Sequence, residues 1–74
     1  MRIWVKCYAT LREYQPQNNL IEVAEGARVE TVLQDIGLPH EATKVIFVNN
    51  KHGSLEQMLQ EGDKIAVFPA VGGG

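Results

Sequence analysis

The chain has 74 residues, 45% of them hydrophobic, and seven Lys and Arg against nine Asp and Glu give a net charge of −2. That length predicts one domain near the lower size limit, burying about 60% of its unfolded surface, and the apolar fraction excludes a disordered chain. A pI near 5.6 with no basic stripe argues against nucleic-acid binding, and the longest apolar run, Val45 to Val48, is far too short to span a bilayer. A lone Cys7 leaves no internal disulfide, and without a signal-peptide pattern the expected location is cytoplasmic.

From Arg2 to Ala9 the sequence alternates, with Ile3, Val5, Cys7 and Ala9 on one face and Trp4, Lys6 and Tyr8 on the other. Period two with β-branched and aromatic residues predicts a half-buried strand. Thr10 to Tyr14 reads as a short helical turn, closed by the turn-forming cluster Gln15-Pro16-Gln17-Asn18-Asn19. Leu20 to Val23 is the second strand, close enough to pair with the first as a hairpin, and Glu25-Gly26 ends it. Val29, Val32, Leu33 and Ile36 then mark one apolar stripe at helical spacing, with Arg28, Glu30, Gln34 and Asp35 toward solvent. Gly37 is the expected left-handed stop and Pro39 prevents continuation, but no Ser, Thr, Asp or Asn stands at the N-cap.

Lys44 to Val48 predicts a central strand, and Asn49 to Gly53 a turn with room for a very short strand. Ser54-Leu55-Glu56-Gln57 fits a capping box that would open one helical turn carrying Leu55, Met58 and Leu59. Glu61-Gly62-Asp63 turns the chain into a last strand, Lys64 to Phe68, and Pro69, which cannot donate to a ladder, marks where the chain leaves the sheet. The order strand, strand, helix, strand, turn, strand predicts a two-layer α+β domain, residues 1–69, followed by a flexible tail, residues 70–74. A single helix covers only one sheet face. Trp4 and Tyr8 therefore fall on the open face with Phe68 and either Ile46 or Phe47, as a docking patch or beneath the first loop.

The tail Val71-Gly72-Gly73-Gly74 cannot build a core. It is thin enough to enter a narrow channel backbone-first, and no Cβ shields the carbonyl carbon of Gly74. The carboxylate of Gly74 is the leading candidate reactive group, activated by another protein; a frayed, inert end is the alternative.

These features together resemble the ubiquitin-like β-grasp sulfur carriers, the family that includes the small subunit of molybdopterin synthase and the thiamine-biosynthesis sulfur carrier. The resemblance covers nearly the whole chain. It rests on the first strand running into Leu11-Arg12-Glu13, on the helix around Val29 to Ile36, and above all on Glu61-Gly62-Asp63-Lys64-Ile65-Ala66-Val67-Phe68-Pro69-Ala70-Val71-Gly72-Gly73-Gly74. The Phe68-Pro69 pair leans toward the molybdopterin branch. Ala70 departs from that branch, which often has a second proline there, and the third glycine leaves Gly73 or Gly74 as the reacting residue.

The resemblance implies a mixed four- to five-stranded sheet with one main helix on one face. It also implies a carrier cycle. An E1-like enzyme adenylates the terminal carboxylate with ATP and Mg²⁺, a persulfide donor converts it to a thiocarboxylate, and a synthase large subunit uses the sulfur. The carrier then binds no cofactor or metal itself. Gly74 takes the reactive role, Gly72 and Gly73 give the channel-compatible backbone, and Phe68, Pro69, Val71, Trp4 and Tyr8 meet the partner. Thiamine or another pathway, a ubiquitin-like modifier forming isopeptide bonds, and a non-catalytic interaction module are the alternatives.

The remaining reactive side chains offer weaker chemistry. Cys7 shares a face with Ile3 and Val5 and reads as a small buried apolar residue. His40 and His52 sit in loops without a second Cys, which disfavours zinc, and no helix follows the glycines to make a phosphate loop. Most acidic residues read as solvated surface, some free to meet a basic partner.

Overall fold

The computed structural model describes residues 1–70. Strands β1 (Arg2–Cys7), β2 (Leu20–Glu22), β3 (Val45–Val48), β4 (Lys51–His52) and β5 (Lys64–Phe68) form one sheet in the order β2-β1-β5-β3-β4. β1 runs antiparallel to β2 and parallel to β5, while β3 is antiparallel to both β5 and β4. The middle of the sheet thus belongs to the last strand, not to Lys44–Val48. β5 alternates Ile65 and Val67 into the core against Lys64, Ala66 and Phe68 on the other side, and is paired along both edges.

One α-helix, α1 (Val29–Asp35), crosses one sheet face. Its Val29, Val32 and Leu33 pack against Ile3, Val5, Cys7, Ile65 and Val67 in a core that contains no buried polar or charged residue among the described residues. Gly37, at φ 80°, ends α1 as expected. The Leu38 amide donates to the Leu33 carbonyl and the Gly37 amide to that of Gln34, a Schellman closure that leaves Leu38 buried.

The missing N-cap residue has a tertiary explanation. The Val29 and Glu30 amides donate to the carbonyls of Gln57 and Leu55, both at 3.0 Å, and Thr31 Oγ1 accepts from the Arg28 amide. This overturns the helical turn expected at Ser54–Gln57. The segment is a turn (Gln57 N–H to Ser54 C=O, 3.2 Å) that leads into a bridge between Arg28 and Met58, and its carbonyls serve as the cap of α1. A helix there would have turned those acceptors along its own axis. Leu59 is buried, but Met58 is exposed.

One further boundary differs from the sequence reading, while the turn with a very short strand expected after Val48 is present. β1 stops at Cys7, and Ala9, expected on the buried face, is exposed at φ 53°, where the chain turns into the 3₁₀ segment Ala9–Tyr14. The Ala9 Cβ makes that left-handed position a costly one, by roughly 1–2 kcal/mol. The hairpin between β3 and β4 turns on Asn49 (φ 54°) and Asn50 (φ 69°), as a two-residue loop requires. Gly53 follows because space is short there: a Cβ would lie 2.7 Å from Val48 Cγ2. With one helix held across a mixed five-stranded sheet, the architecture is the ubiquitin-like β-grasp.

Candidate functional site

The open sheet face is assembled by register. Trp4 pairs with Lys64 and Lys6 with Ala66 across β1 and β5, while Val45 pairs with Phe68 and Phe47 with Ala66 across β3 and β5. Directly paired residues share a face, so Phe47 joins the aromatic patch and Ile46 turns to the core. The rings form a continuous row. Tyr8 stacks on Phe68 (centroids 4.5 Å apart, planes 6° apart), Phe68 meets Phe47 edge-on at 5.8 Å, and Phe47 lies 4.7 Å from His52. Tyr8 is 39% and Trp4 44% exposed, whereas Phe68 and Pro69 are half-buried.

The first loop leaves Trp4 and Tyr8 exposed, although it brings Asn19 beside Trp4. Its Gln15 folds onto the edge of β1 beyond the short β2. The side-chain carbonyl accepts from the Cys7 amide and the side-chain NH₂ donates to the Val5 carbonyl, each at 2.6 Å. One amide side chain thus replaces a missing strand partner, since β2 pairs only with Arg2 to Trp4.

The last ladder bonds around β5 fix where the chain leaves the sheet. The Tyr8 amide donates to the Val67 carbonyl (3.1 Å) and the Lys44 amide to the Phe68 carbonyl (2.9 Å), one from each side. Phe68 and Pro69 therefore stand at the mouth of the tail, beside Tyr8 and Phe47. Val71, Gly72, Gly73 and Gly74 lie outside the described residues.

Cys7 and His52, two further reactive side chains, have structural roles. Cys7 is fully buried, and burial pushes its thiol above the ordinary value of 9.0 against a smaller opposing pull from Lys6, so it stays protonated and inert. Among the described residues no group of three or more His, Cys, Asp and Glu could hold a metal ion; His52 packs on Phe47 instead. No helix among them is long and apolar enough to cross a membrane.

Sequence reasoning missed two features of this face. His52 extends the ring row, visible only once β4 is registered against β3. A shallow groove of about 190 Å³ beside Trp4 is lined by Val5, Lys6, Asn19, Lys64 and Ile65, residues up to sixty positions apart in sequence.

The fold recurs in solved structures. A Pyrococcus furiosus protein assigned as molybdopterin converting factor subunit 1 is 29% identical, with a TM-score of 0.76 over 96% of this chain and 99% of that one. The Haloferax volcanii protein HVO 2177 is 26% identical, with a TM-score of 0.76 over 100% of this chain and 87% of its own. Small archaeal modifier protein 1 of H. volcanii is 20% identical, with a TM-score of 0.76 over 95% and 98%, a likeness of fold alone. No curated protein matches the chain. The profile of the ThiS family matches residues 5–74, from the first strand through the glycine tail, and the chain belongs to that family of ThiS/MoaD-type sulfur carriers.

Proposed function

We propose that this protein carries sulfur on its C-terminal glycine and delivers it in cofactor biosynthesis, with molybdopterin as the product pathway. The observation that carries the reading is the family match, which runs through the glycine tail. The likeness to the P. furiosus protein, assigned as a molybdopterin converting factor subunit, supports the pathway.

In this reading the carboxylate of Gly74 attacks the α-phosphorus of ATP on an E1-like enzyme, releasing pyrophosphate and leaving an acyl-adenylate. A carboxylate is a poor electrophile until it has such a leaving group. Sulfur from a persulfide donor displaces AMP, a thiol takes up the donor's other sulfur as a disulfide, and the thiocarboxylate remains. A synthase large subunit then receives the carrier and uses the sulfur as nucleophile. The carrier contributes no general acid or base. Its contribution is position, from the ring row at the mouth of the tail and from Gly72, Gly73 and Gly74, whose main chain carries no side chains.

Intact-mass measurement of the protein from its native cell tests this. Replacement of one terminal oxygen by sulfur, localised by fragmentation to Gly74 or to Gly73 in a trimmed chain, is the expected result. Conjugates on lysines of other proteins would favour a modifier role instead. An unmodified terminus even with the activating enzyme and ATP supplied would refute both. Deleting Gly73 and Gly74 should leave stability nearly unchanged and abolish activation; a large loss of stability would make the tail structural.

A further inference from the structure

The groove beside Trp4 has a charge that the composition hides. The chain is acidic overall, with nine Asp and Glu against seven Lys and Arg. Of the strand residues on the open face, three are cations (Arg2, Lys6, Lys64) and one is acidic (Glu22). Arg2 is already engaged by Glu61, whose carboxylate lies 3.9 Å from its Nε and accepts from its amide at 3.0 Å. Lys6 and Lys64 have no ion-pair partner among the described residues. They flank Trp4, Lys6 two positions along β1 and Lys64 directly across on β5, and all three line the same groove with Asn19. Lys6 Nζ also lies 5.9 Å from the Tyr8 ring, linking the groove to the aromatic row.

An exposed indole between two unpaired ammonium groups suits an apolar side chain bordered by carboxylates. The two parts ask for different partners: the indole gains by leaving water, and the strongly hydrated ammonium groups give up water without loss only to anions. A basic partner surface is excluded by the two lysines, and a purely apolar one would leave them desolvated without partners. We infer that the Trp4–Lys6–Lys64 groove is a second docking point for the adenylating enzyme, receiving an acidic segment with an apolar side chain at its centre. This rests on the carrier reading above. The ring row holds the partner at the mouth of the tail, and the groove sets orientation and speeds encounter.

The experiment titrates the labelled carrier with the adenylating enzyme from the same genome, following amide shifts. The Kd is measured at about 50 mM and about 500 mM salt, across which exposed charges become screened. Trp4 and Lys64 amides should shift. The K6E/K64E carrier should bind at least tenfold more weakly and K6Q/K64Q a few-fold more weakly, and both should lose most of the wild-type salt dependence. Circular dichroism and thermal melts should match wild type, because both lysines are exposed. An enzyme that binds through the groove without adenylating Gly74 would refute the carrier reading and leave the groove intact. Adenylation with an unchanged Kd in K6E/K64E, or tighter binding by it, would overturn the groove and leave the carrier reading standing. Self-association abolished by K6E/K64E, with no effect on enzyme binding, would also overturn it by making the occupant a second copy of the chain.

Discussion

Phe68→Ala separates docking from folding. Phe68 is half-buried on the open face, and its ring makes two aromatic contacts, stacked on Tyr8 at 4.5 Å and edge-on to Phe47 at 5.8 Å. Such pairs contribute about 0.5–1.5 kcal/mol each beyond their buried area, and the half-buried ring adds about 1 kcal/mol, so truncation should cost about 2–4 kcal/mol of stability. A 74-residue domain has about 4–11 kcal/mol in total, so over most of that range the variant stays folded, with a melting temperature lower by roughly 10–30 °C. If Phe68 anchors the partner, the binding loss should be that of a buried aromatic at an interface, about 2–4 kcal/mol, or roughly 30- to 700-fold in Kd. Val67→Ala is the internal control. Val67 lies one position earlier, fully buried on the opposite face, so it should cost about 2 kcal/mol of stability and leave binding within a few-fold. Denaturant titration gives the stabilities, and calorimetry against the adenylating enzyme gives the affinities. Equal binding losses in the two variants, or a Phe68→Ala domain that fails to fold, would refute the placement of Phe68 outside the core and at the interface.

Two other perturbations test the scaffold. Gln15→Ala removes both amide contacts to β1 and leaves the Val5 carbonyl and Cys7 amide without partners, so it should cost about 2–3 kcal/mol in denaturant titration; a change below 0.5 kcal/mol (roughly the noise of such series) would mean that water replaces it freely. Cys7 should react with a disulfide reagent at pH 8 far more slowly in the folded chain than in denaturant, and an exposed-thiol rate would contradict its burial. Because the folded thiol is pushed above 9.0, the unfolded chain ionises first; stability attributable to Cys7 should be flat below that pH and fall above it, and Cys7→Ala should remove this alkaline slope.

What the sequence revealed depended on whether the signal was local. β1, α1 and β5 each carry their own periodicity, and Gly37 announced its own stop. Val45-Ile46-Phe47-Val48 carries none, because every position is apolar, so neither its place in the sheet nor the outward turn of Phe47 could be read from it. Ser54 to Gln57 carried a valid local signal that was overruled. Its carbonyls were needed by the uncapped first turn of α1, a demand placed twenty-five residues away in the chain. The groove was invisible for a similar reason. Lys64 becomes a neighbour of Trp4 only through the parallel pairing of β1 with β5, and no pattern within either strand encodes that register.

The position of β5 limits what any partner can look like. Tails that leave from an edge strand inherit its fraying, but here the strand is hydrogen-bonded on both sides up to Val67 and Phe68. The exit point is therefore as fixed as any in the sheet. Gly74 lies six positions beyond Phe68, and fully extended that stretch spans at most about 20–22 Å. On the proposed carrier reading, a partner that grips Phe68 would have to hold its reacting phosphate within that radius. Contacts on the ring row and at Trp4 then narrow the direction as well as the distance. If the chain carries sulfur on its terminus as proposed, that geometric restriction is the contribution the folded domain makes to the rate.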